Sequence, residues 1–317
     1  MNQDSTPPRA QLLQIGEENV GQRVDNFLFN RLKGVPKSHV YRILRTGEVR
    51  INGGRSQASR KLDVGDIIRI PPLRLSPQAE IAVPEQLIRS RLSDRVLFED
   101  DDFLVLNKPS GIAVHGGTGL SFGIIEGLRQ LRPDIRSLEL VHRLDRDTSG
   151  CLLIAKKRSA LRTFHELFRD DRQITKIYNA LLVGVLAKKQ TEVNAPLKKN
   201  ILQSGERMVK VAADGKPATT QFRRLRKFEK ATLVEARLLT GRTHQIRVHS
   251  KFMGHPILGD DRYGDETANQ TFRGLGLKRL FLHAASLSFK HTRTGQPFSV
   301  EAPLDQELSD FLEQLET

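Results

Sequence analysis

The run His142-Arg143-Leu144-Asp145-Arg146-Asp147-Thr148-Ser149-Gly150 sets a carboxylate, Asp145, between two arginines. Apolar runs flank it, Leu138 to Val141 before and Cys151 to Ala155 after, so it reads as a loop between two strands. Fixed positive charge on both sides keeps an aspartate ionised at neutral pH, ready to act as nucleophile or base. Arg143 and Arg146 could hold phosphates as well, letting one loop grip a nucleic acid backbone while its carboxylate reaches a nucleotide. Taken alone, the same string also fits a surface turn with local Arg–Asp pairs.

Three more clusters accompany this loop. Asn107-Lys108-Pro109-Ser110-Gly111 ends a strand in a Pro/Gly turn, and the glycine-rich His115-Gly116-Gly117-Thr118-Gly119 follows. The glycine run has no Lys-Ser/Thr after it and so is not a P-loop, and no G-x-G-x-x-G follows a strand, which leaves a nucleotide cofactor without a site. Lys176-Ile177-Tyr178 opens a strand with one of only three tyrosines in a chain without tryptophan. That ring is either a half-buried strand residue or a surface on which a base taken out of its helix could stack. Thr240-Gly241-Arg242-Thr243-His244-Gln245-Ile246-Arg247-Val248-His249 is a glycine turn opening a helix, whose two arginines and two histidines are expected to form an anion-binding corner. The histidines stand five apart, off the spacing of three or four that shares a helix face, so no metal is expected. His283, in an apolar run, reads as a hydrogen-bonded core residue.

The elements that must position these groups belong to a chain of 317 residues, comfortable for two domains. Lysine and arginine number 51 against 37 acids, a net charge of +14, which points to a polyanion partner. No stretch approaches the ~20 apolar residues of a membrane span, and Met1 to Ala10 lacks a signal-peptide core. Cys151 is the only cysteine, which precludes an intramolecular disulfide and reads as an inert packing residue. A cytoplasmic protein fits this composition; oligomeric state is not legible in it, and a monomer is the default expectation.

Residues 1–19 read as a flexible tail, 20–75 as a small module, 76–92 as a proline-punctuated linker and 93–317 as a second domain. In the module, Val24, Phe27, Leu28 and Leu32 recur at helical spacing, Gly34 and Pro36 end that helix, and Ser38 is expected to cap a second one with Arg42 and Arg45 on its outer side. Val49 to Ile51 runs into an Asn-Gly turn, and Asp63-Val64-Gly65-Asp66 turns into a strand at Ile67. Residues 21–75 carry 12 lysines and arginines against 4 acids, a surplus of 8 in a unit too small to hold an active site. In the second domain, strands are expected at 96–98, 103–107, 138–141, 151–155, 177–185, 219–222, 232–238 and 280–287, with helices at 120–131, 160–168 and 243–253. Many strands with a few inserted helices indicate an α+β class built on a mixed, mostly antiparallel sheet.

The module resembles the S4 RNA-binding domain. Asn-Lys-Pro-Ser-Gly (107–111), His-Arg-Leu-Asp-Arg-Asp-Thr-Ser-Gly (142–150), Lys-Ile-Tyr (176–178), Gly-Arg-Thr-His-Gln-Ile-Arg-Val-His (241–249) and Leu-Phe-Leu-His-Ala (280–284) together resemble, in order, the RluA family of pseudouridine synthases. The similarity runs through nearly all of the chain after residue 20. With the S4-like module in front, it points to members acting on large-subunit (23S) ribosomal RNA, before or during subunit assembly. The resemblance implies a cofactor-free isomerisation of uridine. It implies Asp145 as the catalytic carboxylate, acting on ribose or uracil or abstracting a ribose proton. It further implies Arg247 as the partner of Asp145, Tyr178 stacking on the uracil, Leu282 closing the apolar side, and Arg143 filling the gap left by the flipped base. Arg146, Arg42 and Arg45 would contact RNA. Without the resemblance, the charge also fits an assembly factor that only binds ribosomal RNA, and Asp145 with Asp147 fits a metal-dependent nuclease.

Overall fold

The computed structural model describes residues 10–32, 35–73, 92–116, 123–135, 137–170, 173–201 and 207–316. The chain divides into two compact units near residue 81.

In the first unit, helices α1 (Val24–Arg31) and α2 (Lys37–Arg45) accompany a four-stranded sheet ordered β1-β4-β2-β3, with β1 Gln11–Gln14, β2 Arg50–Ile51, β3 Gly54–Arg55 and β4 Ile67–Ile70. The stripe at 24, 27, 28 and 32 is buried, as its spacing requires, against Val40, Ile43 and Leu44 of α2. Asn52 and Gly53 both have positive φ (52° and 78°), the backbone that a two-residue hairpin turn demands. The Asn52 amide then donates to the buried Asp66 carboxylate at 2.7 Å.

Two expectations change here. Part of the supposed tail is strand β1, which pairs antiparallel with β4 from Gln11↔Ile70 to Gln14↔Ile67. Its backbone covers an edge while Leu12 stays 70% exposed, so hydrophobic patterning carried no trace of it. Ser38 is not the helix cap. Pro36, extended at φ −56° and ψ 140°, starts α2 two residues earlier, because its ring pre-sets the entry of the chain. Gly34 lies outside the described residues, as does the expected linker up to residue 91. Leu92 is buried in the core of the second unit.

The second unit is built on a mixed sheet. Its strands are β5 Val96–Glu99, β6 Phe103–Lys108, β7 Glu139–Leu140, β8 Ser149–Ala155, β9 Ile174–Val183, β10 Gln190–Asn194, β13 Thr219–Lys227, β14 Ala231–Leu238, β15 Leu282–Lys290 and β16 Pro297–Glu301. The main path runs β10-β13-β14-β9-β15-β8-β6-β5, with β16 on β15 and β7 on β8. Among the described residues, only the β15–β8 pairing is parallel. A separate hairpin joins β11 Leu197–Ile201 to β12 Arg207–Val211. Helices α3 Ile124–Leu131, α4 Arg158–Leu167, α5 Gln245–Phe252, α6 Glu266–Gly274 and α7 Gln306–Gln314 complete the unit. The α+β class with a mostly antiparallel sheet is what the strand pattern predicts.

Strand β15 matters most to the site, because it lies between β8 and β9. Its register sets Ala284 beside both Gly150 and Tyr178. Gly150 has φ +106°, and a Cβ there would sit 2.2 Å from the Ala284 carbonyl oxygen. Only glycine lets the chain leave the Asp145 loop and pass this close to its neighbour.

Strands β6 and β8 are buried along their whole length and were legible as apolar runs. The polar edge strand Gln190–Asn194, with only Val193 fully buried, was not expected, nor were β11, β12, β16, α6 and α7. Residues 117–119 of the glycine run lie outside the described residues.

Candidate active site

The Asp145 loop is held from below by the turn that follows β6. Lys108, fully buried, donates from Nζ to the carbonyl oxygens of Pro109 (2.8 Å), Ile112 (2.8 Å) and Arg146 (2.9 Å). The Gly111 amide donates to the same Arg146 carbonyl at 3.0 Å, and Ser110 Oγ to that of Asp147 at 2.8 Å. Burial pulls the Lys108 ammonium down to about 7. Three carbonyl acceptors within 2.9 Å hold it in place despite that cost. The Asn-Lys-Pro-Ser-Gly turn is therefore a bracket for the loop. All these bonds are to backbone, so the Asp145 side chain remains available and is 27% exposed.

Helix α5 brings the partner. Arg247 Nη1 lies 3.3 Å from Asp145 Oδ2, across 102 residues of sequence. The rest of the guanidinium is committed elsewhere: Nε and Nη2 each donate at 2.7 Å to the two oxygens of Asp260. The Asp260 side chain has no exposure and also accepts the amides of Arg262 and Tyr263, both at 2.9 Å. Burial works against both charges, but the forked pair outweighs it, raising Arg247 and lowering Asp260 from their ordinary pKa values. Tyr263 lies under the guanidinium, 5.0 Å from ring centre to Cζ, which adds a cation–π contact. Arg247 is thus aimed at Asp145 by a second carboxylate.

Of the four groups expected to form an anion-binding corner at this helix start, Arg242, His244 and Arg247 line one cavity, and His249 is turned away from it. His244 caps α5 in the left-handed region (φ 53°), with Nδ1 2.7 Å from Tyr263 Oη and Nε2 3.6 Å from Asp145 Oδ1. His249 is fully buried between Thr220 Oγ1 and the Ala195 carbonyl, both at 2.9 Å. Buried imidazoles must find internal partners, and these have. His283 likewise spans Ser149 Oγ and the Ala302 carbonyl, as a core residue should. Cys151 is a buried thiol pushed up to about 12 by that burial, which leaves it unreactive.

A cavity of about 270 Å³ opens beside the carboxylate, lined by Asp145, Arg143, Tyr178, Leu282, His142 and Arg247 among others. Tyr178 comes from β9 and Leu282 from the first residue of β15. Burial, and then the charge of Asp145, push the Tyr178 phenol well above its ordinary pKa, so it stays protonated at neutral pH. His142 stacks on Phe168 at 5.2 Å and accepts the Leu153 amide at Nε2 (3.0 Å). Burial, followed by the charge of Lys176, pulls His142 down to about 4.

This makes a pH prediction. In the unfolded chain His142 takes up a proton near its ordinary 6.5, whereas in the fold it resists until about 4. Its contribution to stability is therefore complete above 6.5 and is lost as pH falls from 6.5 toward 4. Urea unfolding from pH 4 to 7 should show His142→Gln losing less stability on acidification than the parent, because the glutamine carbonyl can accept from Leu153 without titrating. Parallel curves would remove this role.

A wider groove of about 770 Å³ meets the cavity and shares Arg143, Leu144, Asp145, His244 and Arg247 with it. Its walls include Arg146, Arg262, Arg273, Lys278 and Arg279. Arg143 is exposed at the junction. Arg146 pairs with its neighbour Asp147 at 2.9 Å, the local pairing that a simple turn would show. Arg42 and Arg45 are exposed on α2 of the first unit, with Arg42 2.9 Å from His39. Asp260 and Tyr263 were not anticipated. The signal available was the rarity of tyrosine and the bracketing Gly259 and Gly264; a Cβ on Gly259 would meet the Arg279 carbonyl oxygen at 2.1 Å.

With this geometry in place, the family model described as RNA pseudouridylate synthase matches residues 102–251, and the S4 domain model matches 22–68. The chain is 57% identical to a ribosomal large subunit pseudouridine synthase C of Yersinia pestis, over 95% of this chain and 94% of that protein. It is 55% identical to the protein of that name from Escherichia coli K12, over 97% of each. Among solved structures, human RNA pseudouridylate synthase domain containing 4 superposes with a TM-score of 0.60 at 27% identity, covering 73% of this chain and 96% of that one.

Proposed function

The chain belongs to the RNA pseudouridylate synthases, in their RluA branch, and from that premise we propose that it isomerises particular uridines of large-subunit (23S) ribosomal RNA, with Asp145 acting on a base flipped out of its helix. The observation that carries this reading is convergence. Asp145, Tyr178, Arg247 and Leu282 come from four separate elements and line one cavity of nucleoside scale.

The reaction breaks the bond from ribose C1′ to uracil N1 and forms one from C1′ to C5, and a proton leaves C5 as N1 gains one. Product and substrate have the same atoms, so the chemistry calls for no cofactor. Asp145 attacks ribose or uracil, or removes a ribose proton, while Arg247 holds it in register. A phenol that stays protonated supports Tyr178 as a stacking surface over Tyr178 as a base. Leu282 closes the apolar side. Arg143, exposed where groove and cavity meet, enters the space that the flipped uridine leaves, its planar cation stacking where the base was.

Flipping costs a few kcal/mol of stacking, which phosphate contacts can offset. The basic groove supplies some of these, Arg146 among them, and the S4 unit supplies more through Arg42 and Arg45. We place binding before or during subunit assembly, by a monomer. No helix among the described residues is long and apolar enough to cross a membrane.

Replacing Arg42 and Arg45 together with alanine should weaken ribosomal RNA binding about 10-fold or more and lower the slope of log K against log salt by about 2. Filter binding at several salt concentrations checks this, and an unchanged slope would take both residues off the RNA. The function itself is tested by mapping pseudouridines in ribosomal RNA of cells lacking the gene. Large-subunit sites should be missing and should return with the parent gene. An unaltered map would end the proposal.

A further inference from the structure

Tyr263 is 2% exposed, and its hydroxyl has two partners: the Val209 amide at 3.0 Å and His244 Nδ1 at 2.7 Å. An amide can only donate, so the hydroxyl accepts from Val209 and sends its single proton to Nδ1. The reverse arrangement, with Nδ1 carrying the hydrogen, would strand a hydroxyl proton in a buried site. Burial foremost keeps the ring neutral; the nearby charge of Asp145, and that of Asp260, pull the other way, while Arg247 and Arg262 act with burial, and the net direction is down. The one ring proton then sits on Nε2, which faces Asp145 Oδ1 at 3.6 Å. Arg247 faces the other oxygen, Oδ2.

We propose that His244 is a positioning residue for the reaction: a neutral imidazole, locked as its Nε2–H tautomer by Tyr263, that presents a donor to the second oxygen of Asp145. This rests on Asp145 being the reacting carboxylate. At 3.6 Å the donor is aimed rather than bonded, and separations of this kind in a free enzyme close when substrate displaces water. His244 keeps a left-handed backbone (φ 53°) that a residue with a Cβ adopts only under strain, and this turns the ring toward the loop. The series begins at Val209 on β12, so the seating of the β11–β12 hairpin is transmitted to the carboxylate.

Two substitutions separate positioning from simple capping. His244→Gln carries an amide nitrogen out to the place of Nε2. His244→Asn reaches only as far as Nδ1, yet asparagine is the more at home in left-handed backbone. Positioning predicts that glutamine keeps kcat within about 10-fold of the parent while asparagine loses about 100-fold or more, with KM for RNA unchanged. A capping role predicts the opposite order. Rates would be followed by tritium release from 23S RNA freed of protein and taken from cells lacking the gene. Circular dichroism would confirm that each variant is folded.

Tyr263→Phe should lower kcat about 10-fold with KM for RNA unchanged, because nothing then holds the ring proton on Nε2 and the Nδ1–H tautomer presents no donor to Asp145. Asparagine equal to or better than glutamine, two folded variants equally inactive, or an unchanged kcat in folded Tyr263→Phe would each overturn the assignment. Asp145→Asn runs alongside. If it stays active, the reading of Asp145 falls. If it is inactive while the order of the His244 variants fails, only the role of His244 falls.

Discussion

Asp145→Asn is expected to abolish pseudouridine formation, with at least about a 10⁴-fold loss of kcat, while the protein folds and binds RNA as before. The substitution changes the side chain by one atom. The loop is fixed through the main chain, by Lys108 and Gly111 on the Arg146 carbonyl and Ser110 on that of Asp147, none of which touches the Asp145 carboxylate. Arg247 keeps its two bonds to Asp260, so no buried charge is orphaned. Stability should therefore stay within about 1 kcal/mol of the parent. RNA affinity should hold or rise slightly, since a negative charge leaves a basic groove. Tritium release, thermal unfolding and filter binding measure the three quantities. A variant that still forms pseudouridine would remove Asp145 from the chemistry.

Arg247→Met is expected to damage both the fold and the reaction, and a second substitution should separate the two. Losing the guanidinium leaves the Asp260 carboxylate, with no exposed side-chain surface, facing only two backbone amides. Orphaning a buried charge in this way costs about 3–5 kcal/mol. In Arg247→Met with Asp260→Asn, the charge is gone while the amide oxygen still accepts from Arg262 and Tyr263. Much of the stability should return, by about 2 kcal/mol or more. Activity should not return, because Asp145 still lacks the cation 3.3 Å from its Oδ2. Recovery of catalysis along with stability would mean that Arg247 serves Asp260 and has no part in orienting Asp145.

The Asp145 loop, the Tyr178 strand and the glycine turn before Arg247 each announced themselves by local composition: charge between apolar runs, a rare ring, a helix start rich in cations. Local features of that kind survive projection onto one dimension. The core strands β6 and β8 were visible for the same reason, each carrying an apolar run, Phe103 to Leu106 and Cys151 to Ala155. Strand β1 left no such trace, since it contributes backbone pairing and exposes Leu12. His249 left the expected anion corner because a buried imidazole must find its partners inward, and burial is not a property of the helix sequence alone.

The types and order of residues by themselves marked the candidate groups and determined the class of fold that carries them, because each such signal is local in the chain. Which atoms meet was decided only by tertiary structure. Strand β15, running parallel to β8 and antiparallel to β9, brings loop, ring and Leu282 to one place, and helix α5, packed on β12 and β13, carries Arg247 to Asp145. Asp260 became its second anchor, and Tyr263 set the proton on His244, through contacts that depend on how separate elements pack. Distance and desolvation govern charge pairing and tautomer choice, and both are properties of the folded chain.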